Sequence, residues 1–89
     1  MSGVNADPQN LRSFQRQLKQ FRNELNSITS KLNGHLRVLN EGWRDPEYYK
    51  FEKQVQEMIS AMKRFSDQSD QYVSYLDKKA KKLEEFLGR

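Results

Sequence analysis

Nine positions in the first half of the chain, Leu11, Phe14, Leu18, Phe21, Leu25, Ile28, Leu32, His35 and Leu39, follow one another at alternating intervals of three and four residues. A 3.5-residue repeat held for four heptads specifies a long helix with one continuous stripe, and no strand of period two can carry it. The repeat resumes in Tyr48, Phe51, Val55, Met58, Met62, Phe65, Ser69, Tyr72, Leu76, Lys79, Leu83 and Phe86. Ile59, Val73, Ala80 and Leu87 lie one step beyond this second stripe, which makes the second helix apolar over a wider arc than the first. Between the stripes, Asn40-Glu41-Gly42-Trp43-Arg44-Asp45-Pro46 holds the one internal break. Gly42 is expected to release the first helix and Asp45-Pro46 to begin the second, because Asp caps orphan amides and Pro has no N–H to lose at the first helical position. Asp7-Pro8 repeats that start signal at the other end.

These signals predict an all-α fold: one antiparallel two-helix hairpin domain over 8–89, with helix one over about 8–40, a Trp-centred loop over 41–46 and helix two over about 46–87. Positions 1–7 are expected to form a flexible arm, with Val4 placed to staple onto the first helix. A short connection pairs residues whose numbers add to roughly ninety, so Leu39 should meet Phe51, Leu32 Met58, Leu25 Phe65 and Leu18 Tyr72. Phe21 then falls opposite the smaller Ser69. Helix two should outrun helix one by about a turn or more.

Composition narrows the possibilities further. The chain has 89 residues, 35% of them hydrophobic, with 4 Gly, 2 Pro and no Cys, which leaves no room for disulfide staples, thiol catalysis or the turns of a sandwich or barrel. No apolar run exceeds two residues, so neither a membrane span nor the core of a cleavable signal peptide is expected. Two helices alone would form a slab with a single seam, and so small a core barely offsets chain entropy. A second hairpin solves this, most simply a copy of the same chain in a four-helix bundle, and equally well a similar hairpin in a heterodimer. The expected interface residues are Phe51, Val55, Met58, Ile59, Met62, Phe65, Tyr72, Val73, Leu76 and Leu83.

Catalytic groups are sparse, and the reading is non-enzymatic, with no cofactor or metal. The single His, His35, sits at a stripe position among leucines and is expected to be structural. Asp67 and Asp70 share a helical face but read as solvated, Glu84 and Glu85 point in different directions, and the four scattered glycines make no phosphate cradle. Charge is mildly positive, with 16 Lys+Arg against 12 Asp+Glu and a net of +4. Arg12, Arg16, Lys19 and Arg22 are expected on the outer face of helix one, and Lys78, Lys79, Lys81 and Lys82 cluster near the end of helix two. Such groups could meet phosphates or an acidic membrane surface. The aromatics lie on the heptad stripe rather than between the basic residues, which argues against nucleic acid. Trp43, a large apolar side chain in a loop, either plugs the bundle end or anchors a partner.

Two heptad helices around a Trp-centred loop, read here as Gly42-Trp43-Arg44-Asp45-Pro46, resemble the WXG family of early-secreted-antigen-like proteins over residues 8–87. The resemblance implies an antiparallel four-helix dimer and a secreted effector, adaptor or chaperone of type VII secretion, exported without a cleavable signal through contact with secretion machinery. Two residues depart from the family pattern. Asp45 stands where the motif has Gly, and the downstream Y-x-x-x-[DE] signal is missing, since Tyr72 is followed four places on by Leu76 and Tyr75 by Lys79. Tyr48 and Glu52 fit the letters at the opposite end of the helix. The residues alone equally allow a cytoplasmic coiled-coil scaffold that is never exported.

Overall fold

The computed structural model describes residues 6–88, which form two helices, α1 (Pro8–Gly42) and α2 (Pro46–Phe86). Most of the arm expected over 1–7, including the staple from Val4, lies outside the described residues. Both helices begin as the Asp-Pro pairs require. Asp7 accepts from the Gln9 amide at 2.9 Å, and Asp45 accepts from the amides of Glu47 and Tyr48 at 3.0 and 3.2 Å. Each carboxylate thus satisfies donors that the first helical turn would leave orphaned. The helices run antiparallel in a rod of 64 × 19 × 13 Å, and α2, with 41 residues against 35, extends past α1 at the open end.

The turn is not made by Gly42. That residue is the last of α1, the only positive-φ glycine among the described residues is Gly88, and a Cβ built on Gly42 would meet nothing within 4 Å. The chain reverses instead through extended Trp43 (φ −143°, ψ 105°) and extended Asp45 (φ −83°, ψ 172°). α1 therefore continues two residues beyond the expected end. At the far end, Gly88 takes a left-handed φ of 81° and donates to the Glu85 carbonyl at 3.0 Å, closing α2.

The expected register is present. Cross-helix hydrogen bonds join Tyr48 to Leu36, Gln56 to Asn33, Ser66 to Asn26 and Gln15 to Val73, pairs that add to roughly ninety. The helix faces, however, are turned from the expected orientation. Leu11, Leu18, Leu25 and Leu32 of α1, and Val55, Met62 and Leu76 of α2, are half-buried, but they share the seam with the residues one step on. Those neighbours are Gln15 and Leu36 in α1 and Ile59, Ser66 and Ala80 in α2, all buried, with Ala80 fully enclosed at 0% exposure. Phe14, Phe21, Ile28, Leu39, Phe51, Met58, Phe65 and Tyr72 are left exposed, and so is His35, which the periodicity had placed among the core leucines.

The physical reason is volume and pairing. Small residues such as Ser66, Ser69 and Ala80 let two backbones close together, whereas a row of facing aromatics overfills a two-helix seam. The turned arrangement also brings polar partners together across the opposite edge. Arg12 bridges Asp77 at 2.6 Å and Glu84 at 3.1 Å, Arg22 pairs with Asp70, and Gln56 donates to Asn33 at 3.0 Å. Arg12 and Arg22 therefore belong to the hairpin's own cross-links rather than to a free basic stripe.

Candidate interaction face

The hairpin has two flanks of opposite character, one on each side of the seam. On the first, α1 contributes Arg12, Arg22, Asn26 and Asn33, and α2 contributes Glu84 and Asp77, Asp70, Ser66 and Gln56 as their respective partners across the helices. Arg12 is the hub. Its guanidinium donates to Glu84, to Asp77 and to Gln15 Oε1 at 3.2 Å, while Gln15 Nε2 donates to the Val73 carbonyl at 3.2 Å. Hydrogen bonds from Arg12, and then from Lys81, hold the Asp77 carboxyl below its ordinary range, and Glu84 and Asp77 raise the affinity of Arg12 for its proton.

The second flank carries Phe14, Phe21 and Ile28 from α1 and Phe51, Met58, Phe65 and Tyr72 from α2, each more than two-fifths exposed. The heptad spacing lines these side chains up along the rod. A solvent-open hollow of about 300 Å³, lined by Leu18, Phe21, Phe65, Gln68, Ser69 and Tyr72, shows the two rows flanking one groove floored by a small side chain. A second, lined by Phe21, Glu24, Leu25, Ser27, Ile28 and Lys31, continues it along α1. A contiguous apolar strip of this length is characteristic of a surface that meets another protein.

The structure sorts the ten expected interface residues into three positions. Phe51, Met58, Phe65 and Tyr72 lie on the exposed flank, Val55, Met62, Val73 and Leu76 are half-buried at the seam, and Ile59 and Leu83 are buried between α1 and α2. The heptad pattern puts Ile59 and Ala80 beyond the hairpin seam, yet they are inside it because α2 turns its small-residue edge toward α1. The same pattern puts Phe14, Phe21 and Ile28 of α1 in the hairpin's own seam, and they are exposed instead. The signal that would have separated them is the row of pairable polar residues on the other edge of each helix.

At the closed end, the loop is built around Asp45. Its Oδ1 accepts from Trp43 Nε1 at 2.8 Å as well as from the two α2 amides. The indole lies edge-on to Tyr48, with ring centroids 5.4 Å apart, and tilted on Phe51 at 5.9 Å. Tyr48 is the largest fully buried side chain, 1% exposed, and its hydroxyl lies 3.1 Å from the Leu36 carbonyl and 3.2 Å from Glu52 Oε2. Burial, and then the Glu52 charge, push the phenol above its usual pKa. Trp43 is half-buried, sealing one side of this cluster while the other faces solvent. Gly42 is exposed.

Among the described residues no group of three His, Cys, Asp or Glu could hold a metal ion, and no helix is long and apolar enough to cross a membrane. The chain matches no curated protein and no solved structure. A family model does match, over residues 3–86, and its description is "Proteins of 100 residues with WXG". That span takes in both helices, the Trp43 loop and both flanks, so the chain belongs to the WXG family of small, helical, non-catalytic proteins related to type VII secretion.

Proposed function

We propose that this chain acts without catalysis, by laying its exposed apolar flank against a second helical hairpin to form an antiparallel four-helix bundle. In that form it serves type VII-like secretion as an effector, adaptor or chaperone, exported without a cleavable signal. The supporting observation is the asymmetry of the hairpin: one flank is closed by its own polar cross-links, and the other leaves Phe14, Phe21, Ile28, Phe51, Met58, Phe65 and Tyr72 facing water. The second hairpin is a copy of this chain or a similar one, and it would also complete the burial of Val55, Met62 and Leu76. Trp43 and Asp45 form the closed end of the bundle, where the indole's open side is available to secretion machinery.

A second reading, a cytoplasmic coiled-coil scaffold that is not exported, draws on one observation. The sole Y-x-x-x-[DE] match, Tyr48 to Glu52, is consumed inside the hairpin, with the tyrosine buried and hydrogen-bonded to the glutamate. The two readings separate in culture. Intact protein in the medium without a cytosolic marker supports export, and strict retention in cells under all growth conditions refutes it.

A further inference from the structure

We propose that the outward face of the last turns of α2 is a docking surface for an anionic lipid bilayer, a property separate from pairing with a second hairpin. Tyr75, Lys78, Lys79, Lys82 and Phe86 fall within an arc of about 100° at helical spacing. Tyr75, Lys78 and Lys82 point away from α1, so a hairpin seated on the exposed flank leaves them free. Tyr75 is 63% exposed and Phe86 70%, and Leu87 continues the apolar tip. Arg12 is neutralised by Asp77 and Glu84, Arg22 by Asp70, and Lys81 by Asp77 at 3.1 Å, while the exposed Arg16 and Lys19 of α1, unpaired among the described residues, add positive charge at the same end. Among the described residues, Lys78, Lys79 and Lys82 have no carboxylate within 4.0 Å. Glu85 borders the face, and Glu84 is held by Arg12 on the far side.

On the last turns of α2 the charge that remains after internal pairing is therefore three ammonium groups on one face, Lys78 and Lys82 clear of the exposed flank and Lys79 at its edge, bracketed by the exposed Tyr75 and Phe86. Lysine stems lying on apolar surface let the ammonium groups reach lipid phosphates, while Tyr75, Phe86 and Leu87 enter the headgroup boundary. The exposed Tyr75, Phe86 and Leu87 beside the lysines favour the lipid surface, because a headgroup boundary buries such side chains while a row of phosphates does not.

The test is sedimentation with vesicles of about 30% phosphatidylserine in phosphatidylcholine against pure phosphatidylcholine, at about 0.1 M and about 0.5 M NaCl. Binding is expected to the anionic vesicles only and lost at the higher salt. Lys78→Gln with Lys82→Gln should weaken it about 30-fold, taking each lysine at about fivefold. Phe86→Ala should weaken it further at low salt. Equal binding to both vesicle types, no binding to the anionic ones, or retention of a nucleic-acid duplex without vesicle binding would overturn the proposal. Light scattering on the lysine variant should give the parent's mass, which keeps this result independent of the pairing with a second hairpin.

Discussion

Replacing Phe65 with Asp separates the exposed flank from the seam most cleanly. Phe65 keeps 55% of its surface exposed in the hairpin. For an aromatic side chain that is about 110 Å², worth about 2.5 kcal/mol on burial against a partner. A twofold dimer contains the substitution twice, so pairing loses about 5 kcal/mol, and the dissociation constant rises by three to four orders of magnitude, about 1.4 kcal/mol per tenfold. The aspartate adds a charge with no partner on that face. Analytical ultracentrifugation should report the single-chain mass of 10.6 kDa at micromolar concentration, with a melting temperature that is lower than the parent's and no longer depends on concentration. Ile59→Asp, at a residue 7% exposed between the helices, should instead abolish helicity at every concentration. A Phe65→Asp protein that keeps the parent's dimer mass and concentration-dependent melting would refute the assignment of this flank. An Ile59→Asp protein that stays folded would refute the turned seam.

Gly34→Ala should raise the melting temperature, because the new Cβ meets only the Arg37 guanidinium at 4.0 Å and alanine favours a helix interior by about 1 kcal/mol; a fall would show that Gly34 is held close to something else. Asp45→Ala should cost about 1–2 kcal/mol as the cap of α2 is lost, and it should shift the Trp43 emission maximum as the carboxylate that accepts from the indole N–H is removed; an unchanged emission maximum would contradict the role given to Asp45. The Asp77 carboxyl is depressed by Arg12 and then Lys81, so the stability it lends is complete above the ordinary carboxylate value of about 4 and is lost as pH falls through the lower folded value. Asp77→Asn should therefore melt below the parent at neutral pH, with the gap closing in acid, and a gap constant from pH 7 to pH 3 would refute this. Trp43→Ala should lower the melting temperature clearly if the indole chiefly seals Tyr48 and Phe51; unchanged melting with loss of partner binding would assign it to recognition.

The helices, their Asp-Pro starts and their register were legible because each is a local signal. A 3.5-residue period fixes the element, a carboxylate before proline fixes its beginning, and a short loop fixes which residues stand level. The rotation of each helix about its own axis was not legible in the same way. Leu11, Leu18, Leu25 and Leu32 belong equally to a stripe through Phe14 and Phe21 and to one through Gln15 and Leu36. Counting apolar residues favours the aromatics. The choice is made by small side chains such as Ser66 and Ala80, and by partners far apart in sequence, Arg12 with Asp77 and Glu84 and Arg22 with Asp70. No local window contains both halves of those pairs. His35 follows the same error, because it rides on the aromatic stripe and emerges with it. At the loop, glycine chemistry predicts Gly42 as the helix stop, whereas the reversal is made by extended Trp43 and Asp45 and needs no left-handed residue. Asp45, in the place of the family's glycine, does the capping and holds the indole.

The most direct measurement is light scattering combined with thermal melting across a concentration series. A hairpin that completes its interior on a second copy should scatter as twice 10.6 kDa and melt at higher temperature as concentration rises. A single 10.6 kDa particle that melts cooperatively at one temperature throughout the micromolar range would contradict it.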